Sequence, residues 1–392
     1  MDPYPRFDLK QVKVLPLRER RSMATAEETV VEVATPPPSC DEFVSRQIDR
    51  CVDDIQSALE RKASVMLIYG AHLIKNGGQA LLNQMMDRGW ISHLATNGAG
   101  IIHDWEFAFH GKSTECVRSN VATGTFGTWD ETGRHIQQAL LLGGINDCGF
   151  GQSLGKFAYE DGGQIPDPTE LEKQIRDEPA HPLTAARADL LRTIRENDWQ
   201  AGPLMVFHRY RNFSTIAQAY RHQVPLTVHP GIGYDIFTNH PLFNGAVVGR
   251  AAGIDFQVYS QSLANLEGGV VLNIGTAIMG PQVFEKSLSC VNNVRRQQGK
   301  DVIKDHSIHV VDLQDGGGWD WAQGEPPKDN PAYYLRFCKT FARMGGAMHY
   351  VQSDNIAFLH NLFHRLEARQ GRTAVKSDIP DIGNPDPAPR WA

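Results

Sequence analysis

The chain reads as an α/β protein with a doubly wound, mostly parallel sheet. Three observations predict this. Apolar runs of strand length recur along the sequence. Stretches of helical periodicity separate them, which is the pattern of βαβ units. Three of the runs also turn straight into glycine or small polar residues: Tyr69-Gly70-Ala71-His72, Thr96-Asn97-Gly98-Ala99 and Asn273-Ile274-Gly275-Thr276. In an open parallel sheet, ligands bind outside the carboxyl ends of the strands. A glycine at such a bend lets the backbone approach a ligand closely.

Taken in order, residues 1–40 mix charged and Pro-rich pieces, such as Arg18-Glu19-Arg20-Arg21 and Pro36-Pro37-Pro38. They read as a flexible arm, or as one that docks on a neighbouring subunit. Val44, Ile48, Val52, Ile55 and Leu59 form one apolar stripe, and Ser39 to Asp41 offers caps, so a helix is expected there. The run Val65 to Tyr69 predicts a strand, and Ala80, Leu81, Leu82, Met85 and Met86 lie in a following helical stretch. Further strand-like runs are Ile91 to Ala95, Leu204 to Phe207, Val224 to Val228, Val270 to Ile274 and Ile308 to Leu313. Segment 144–185 is rich in glycine and proline and reads as an insertion, a long active-site loop or a disordered bridge. The end, SDIPDIGNPDPAPRWA, is too polar to fold alone. One large domain over 41–370 is therefore expected, with 371–392 as a flexible tail.

The composition narrows the function. With 39 Lys plus Arg against 45 Asp plus Glu there is no basic excess, so a nucleic-acid partner is not expected. No apolar run reaches the length of a membrane span, and the first residues lack a signal-peptide core, so neither membrane nor export is expected. The six cysteines form no CxxC pair and no His-Cys zinc spacing; reduced thiols in a cytoplasm and no metal site are the expectation. A GxGxxG after the first strand, a P-loop and a GxSxG elbow are all absent.

Three groupings remain. His103-Asp104 follows the NGAG bend and is a candidate acid–base pair. Asp312, Asp315 and Asp320 lie among Gly316, Gly317, Gly318, Trp319 and Trp321; carboxylates beside indoles suit an amine. His360 and His364 are spaced to share a helix face, but Asn361 stands where a zincin carries Glu.

Three longer stretches resemble the deoxyhypusine synthase family. They are YGAHLIKNGGQALLNQMMDRGWISHLATNGAGIIHDWEFAF, VPLTVHPGIGYDIF and GGVVLNIGTAIMGPQVFEKSLSCVNN, and with their spacing they cover roughly residues 42–360. The resemblance implies a Rossmann-like, NAD-binding fold, a homotetramer with shared sites, and hydride abstraction from a polyamine followed by aminobutyl transfer through an enzyme lysine. It would set Ala71, His72, Thr96, Asn97, Gly98, Ala99, Gly275, Thr276 and Asp354 against NAD. It would set Asp235 against the amine, with His103 in place of a family Glu and Asp104 matching its Asp. The family's Trp-Gly-Lys is missing; Lys328 falls in the corresponding stretch, in the context PPKD. The expected function is an NAD-dependent enzyme acting on a small amine, with His103, Asp104 and Lys328 as catalytic candidates and Asp235, Asp315 and Asp320 holding the cation. A non-catalytic NAD-binding subunit is the alternative, and a different ligand such as a sugar nucleotide is a third.

Overall fold

The computed structural model describes residues 4–371. The C-terminal tail expected from 371 lies outside these from residue 372 on. At the centre is a six-stranded, all-parallel sheet: β1 Val65–Tyr69, β2 His93–Asn97, β3 Leu226–His229, β4 Val270–Ile274, β5 Ser307–Asp312 and β6 Ala347–Gln352. The spatial order is β6-β5-β4-β1-β2-β3. Val65 pairs with Val270 on one side of β1, and Met66 pairs with His93 on the other. The order reverses between β1 and β4, which makes that boundary the switch point of a Rossmann-like, doubly wound fold.

The helices used below are, in chain order, α1 Glu42–Glu60, α2 Ala71–Lys75, α3 Gln79–Asp87, α4 Gly98–His110, α5 Asp130–Gly144, α6 Phe150–Tyr159, α7 Thr215–His222, α8 Gly245–Leu263, α9 Met279–Gln297, α10 Arg336–Ala342 and α11 Asn355–Arg369. Alternate residues of β1 serve opposite layers. Val65, Leu67 and Tyr69 pack with α1, α3, α4 and α11, while Met66 and Ile68 pack with α9 and α10. Burial on both faces is why this strand is a continuous apolar run rather than an alternating one. The stripe expected on α1 is buried as Val44, Ile48, Val52 and Ile55, and Asp41 caps the helix by accepting from the Val44 N–H at 2.8 Å.

Four expectations need correction. The run Leu204 to Phe207 does not join the main sheet; strand Gly202–Met205 pairs antiparallel with Gly162–Ile165 inside the long excursion between β2 and β3. Strand β6 escaped notice because its apolar residues are interleaved with His349 and Gln352, as suits a half-exposed edge. Segment 144–185 is neither bridge nor bare loop: it carries α6, a strand and helix Pro168–Asp177.

The fourth correction concerns the arm. Residues 4–40 lie against the body of the same chain. Leu17, Ala26 and Val33 are buried, strand Ser22–Thr25 pairs antiparallel with Lys112–Glu115, and Arg20 forms a buried ion pair with Glu106. A few well-placed anchors hold a segment whose average composition is loop-like.

Candidate functional site at the switch point

The bends after β1 and β4 touch. The Gly70 N–H donates to the Ile274 carbonyl at 3.1 Å, and the Gly275 N–H donates to Val311 at 2.9 Å. A Cβ on Gly70 would strike the carbonyl oxygen of Gly275, and Gly275 itself has φ +63° with the Asn355 amide over it. Only glycine satisfies both conditions. Beside them the Asn273 amide donates to the Thr276 carbonyl at 3.1 Å, and the Thr276 hydroxyl accepts from the Gly280 N–H at 3.1 Å. The Oδ1 atoms of Asn273 and Asn355 are buried without a hydrogen-bond partner. Buried amide oxygens of that kind are costly unless a partner arrives.

The bend after β2 completes the row. The Thr96 hydroxyl donates to the Tyr69 carbonyl at 3.0 Å, and Asn97 caps α4 by accepting from Gly100 at 2.8 Å. Ala99 is half-buried in the first turn of α4. A Cβ on Gly98 would collide with the Asp235 carboxylate, so that side chain rests on this bend. Burial pushes the Asp235 carboxyl up to about 6, against the Gly231 N–H that donates to it at 2.7 Å. Exposed Ile232, Tyr234, Ile278 and Leu313 follow β3, β4 and β5 and rim the same end of the sheet.

Helix α2 packs on α4 and brings His72, Lys75 and His103 within electrostatic reach of one another. Burial, and then the Lys75 ammonium, lower His72, while Asp312 at the end of β5 pulls the other way. Burial takes His103 down to about 4, so its imidazole is neutral at physiological pH. His103 Nδ1 lies 2.7 Å from the Ser113 hydroxyl. Nε2 has no hydrogen-bond partner among the described residues and is not sealed from solvent. Lys75 went unassigned in the sequence, where its only signal was its position a helical turn past the first bend. Asp312 was grouped there with Asp315 and Asp320, but the structure sets it at the end of β5 within electrostatic reach of His72.

Other candidates fall elsewhere. Asp104 is fully buried and accepts from the Ser214 hydroxyl at 2.7 Å and from the Thr215 and Ile216 N–H groups at 2.9 Å each, so it caps α7 rather than facing a ligand. Asp354, by contrast, stays beside the switch point as the neighbour of Asn355, where its carboxylate caps α11 through the N–H groups of Ile356 and Ala357. Lys328 is exposed in the turns after β5, near Glu325. Asp315 and Asp320 line a separate cavity of about 430 Å³ at edge strand β6, with Arg50, Trp319 and Tyr350. Their carboxylates are engaged by local turns: Asp315 accepts from Gly317 at 2.8 Å, and Asp320 accepts from Ala322 and the Gln323 amide. His360 and His364 both turn to the Val33 carbonyl, and no cluster of three or more metal-ligating side chains occurs among the described residues. Nor is any described helix long and apolar enough to cross a membrane.

No protein-family model and no curated protein matches the chain. Solved structures are similar to it in architecture. AgrE, in a complex described with ornithine and NAD+, is 11% identical with a TM-score of 0.41 and is matched over 86% of this chain. The chain spans only 34% of the AgrE chain's length. A protein described as LOR/SDH from Methanococcus maripaludis is 14% identical with a TM-score of 0.40, covering 91% of this chain and 75% of its own. A protein described as a deoxyhypusine synthase from Entamoeba histolytica is 10% identical with a TM-score of 0.39, covering 86% and 93%. At these values the similarity concerns the general α/β architecture, and no residue role passes through it.

Proposed function

We propose that the chain binds NAD along the three touching bends and oxidises a small amine there, as the first half of an alkyl transfer of the aminobutyl type. The observation that carries the reading is the switch point itself: Gly70 and Gly275 back to back, with two unpartnered amide oxygens beside them. These features fit a dinucleotide. The glycines let the two bends pack on each other and under Asn355, and the buried Oδ1 atoms of Asn273 and Asn355 lack the partners that a carboxamide or ribose would supply. Lys75 offers positive charge and His72 a neutral hydrogen-bonding ring near the crevice. When bound, NAD supplies a hydride acceptor.

The chain's own groups do the rest. The Asp235 carboxylate holds an ammonium next to the second bend; a bound cation favours its ionised form. Neutral His103 receives at Nε2 the proton that the amine nitrogen loses as the adjoining carbon is oxidised. The exposed apolar rim of Ile232, Tyr234, Ile278 and Leu313 suits contact with further copies of the chain, in line with the expected homo-oligomer, and such a contact would close the reacting carbon off from water. A cytoplasmic setting matches free thiols on all six cysteines.

Titration calorimetry with NAD and NADH, followed by absorbance at the NADH band on adding a panel of amines, tests this. Binding together with amine-dependent NADH formation is expected; absence of heat from either redox form refutes it. The exposed setting of Lys328 favours a second reading, an NAD-binding subunit without transfer activity. Binding without turnover on any amine is the outcome that selects it.

A further inference from the structure

We infer that Ser113, Glu106 and Arg20 are positioning residues that fix the tautomer of His103, leaving Nε2 as the proton acceptor. This rests on the role just proposed for His103, but the geometry stands independently of the cofactor. Arg20 Nη1 and Nη2 donate to the two carboxylate oxygens of Glu106 at 2.6 and 2.9 Å, and both side chains are 1% exposed. Burial raises the Glu106 carboxyl, yet the Arg20 guanidinium outweighs it and holds the group below the usual carboxylate range. Glu106 is therefore ionised and can only accept. Thr132 donates to one of its oxygens at 2.9 Å and Ser113 to the other at 2.7 Å. With its single proton committed to Glu106, the Ser113 hydroxyl can only accept from His103, so the imidazole hydrogen sits on Nδ1. The groups facing the ring are thus Glu106 on its own helix, Arg20 from the N-terminal segment, and Lys75 and His72 from α2.

Two further features support a purpose beyond stability. A buried ion pair contributes little compared with apolar packing, yet this one is fully hydrogen-bonded, with Arg20 Nε also donating to Ser22 at 3.2 Å. Next to Ser113, Thr114 has φ +66°, a costly conformation for a β-branched residue. Such strain collects where the surroundings must fix one geometry. The segment before α1, whose strand pairs with Lys112–Glu115, thereby helps to build the site.

The test is nitrogen-15 NMR of histidine-labelled protein, with His103 assigned by its loss in His103→Gln. In the unmodified protein, the His103 shifts should report an Nδ1–H tautomer. Ser113→Ala and Glu106→Gln should each lose that single signature, Ser113→Ala by removing the acceptor and Glu106→Gln by freeing the serine proton to point at the ring. If either variant fails to fold, the unmodified spectrum still decides. A proton found on Nε2 overturns the inference, as does a Ser113→Ala spectrum unchanged at His103. The expected tautomer in protein that gives no calorimetric response to NAD supports the relay and refutes the cofactor reading alone.

Discussion

The edge of the sheet and the switch point both collect carboxylates that amine chemistry would use, and they differ in how far water reaches them. At the edge, Asp315 and Asp320 share a cavity with Trp319, but both are exposed and each closes a local turn. At the switch point, the Asp235 carboxylate also accepts one local N–H, yet it is buried and burial raises it to about 6, while His103 nearby keeps one ring nitrogen open. Residue type is shared; desolvation is not. A second contrast separates neighbours. His103 and Asp104 are adjacent on α4, yet one looks toward α2 and the other is consumed by the start of α7.

Arg20→Ala should have the largest effect, because it leaves Glu106 buried and unpaired. A loss of about 3–5 kcal/mol is expected, read from urea unfolding; an unchanged midpoint would mean that the pair is dispensable. His103→Gln should lower amine-dependent NADH formation by about 10²–10⁴-fold with little change in unfolding. Asp104→Ala should show the reverse balance, losing about 1–2 kcal/mol as a lost cap while the rate per folded molecule holds. If the two variants swap behaviours, the division of labour on α4 is wrong.

Asp235 sharpens the contrast through pH. Its carboxyl is raised to about 6 by burial, so the folded chain holds the proton more tightly than the unfolded one. Folding stability from this group is then greatest at low pH and falls as pH climbs from about 4 to about 6, flattening above. Asp235→Asn should remove that slope in unfolding measured between pH 4 and 7, a difference of about 1–3 kcal/mol. An identical slope in both proteins would show that the carboxyl is not held up. Smallest of all, Asp315→Asn with Asp320→Asn should change stability by about 0.5 kcal/mol or less and leave the amine KM unaltered; a raised KM would return the edge cavity to consideration.

Much of the architecture was legible because the relevant signals are local. Val65–Tyr69 and Val270–Ile274 declare themselves as strands because burial on both faces demands unbroken apolar runs. The three bends were visible for the same reason: glycine follows where a side chain cannot fit. What stayed hidden depends on partners far away in sequence. Nothing in the string HDWEFAF tells which acid meets Arg20 and which caps α7, since the first partner lies 86 positions earlier and the second about 110 later. Ser113 carried no signal at all. The N-terminal segment misled through its averages, because a handful of buried contacts outweighs a loop-like composition.

The pairing of β1 with β4 also bears on how the molecule forms. Val65 and Val270 are neighbours in the sheet but lie far apart along the chain, with the whole excursion carrying α4 to α7 between them. Closing so long a loop is entropically slow. The cleft is thus among the last features to be assembled during refolding, and recovery of ligand binding should lag behind recovery of helical circular dichroism.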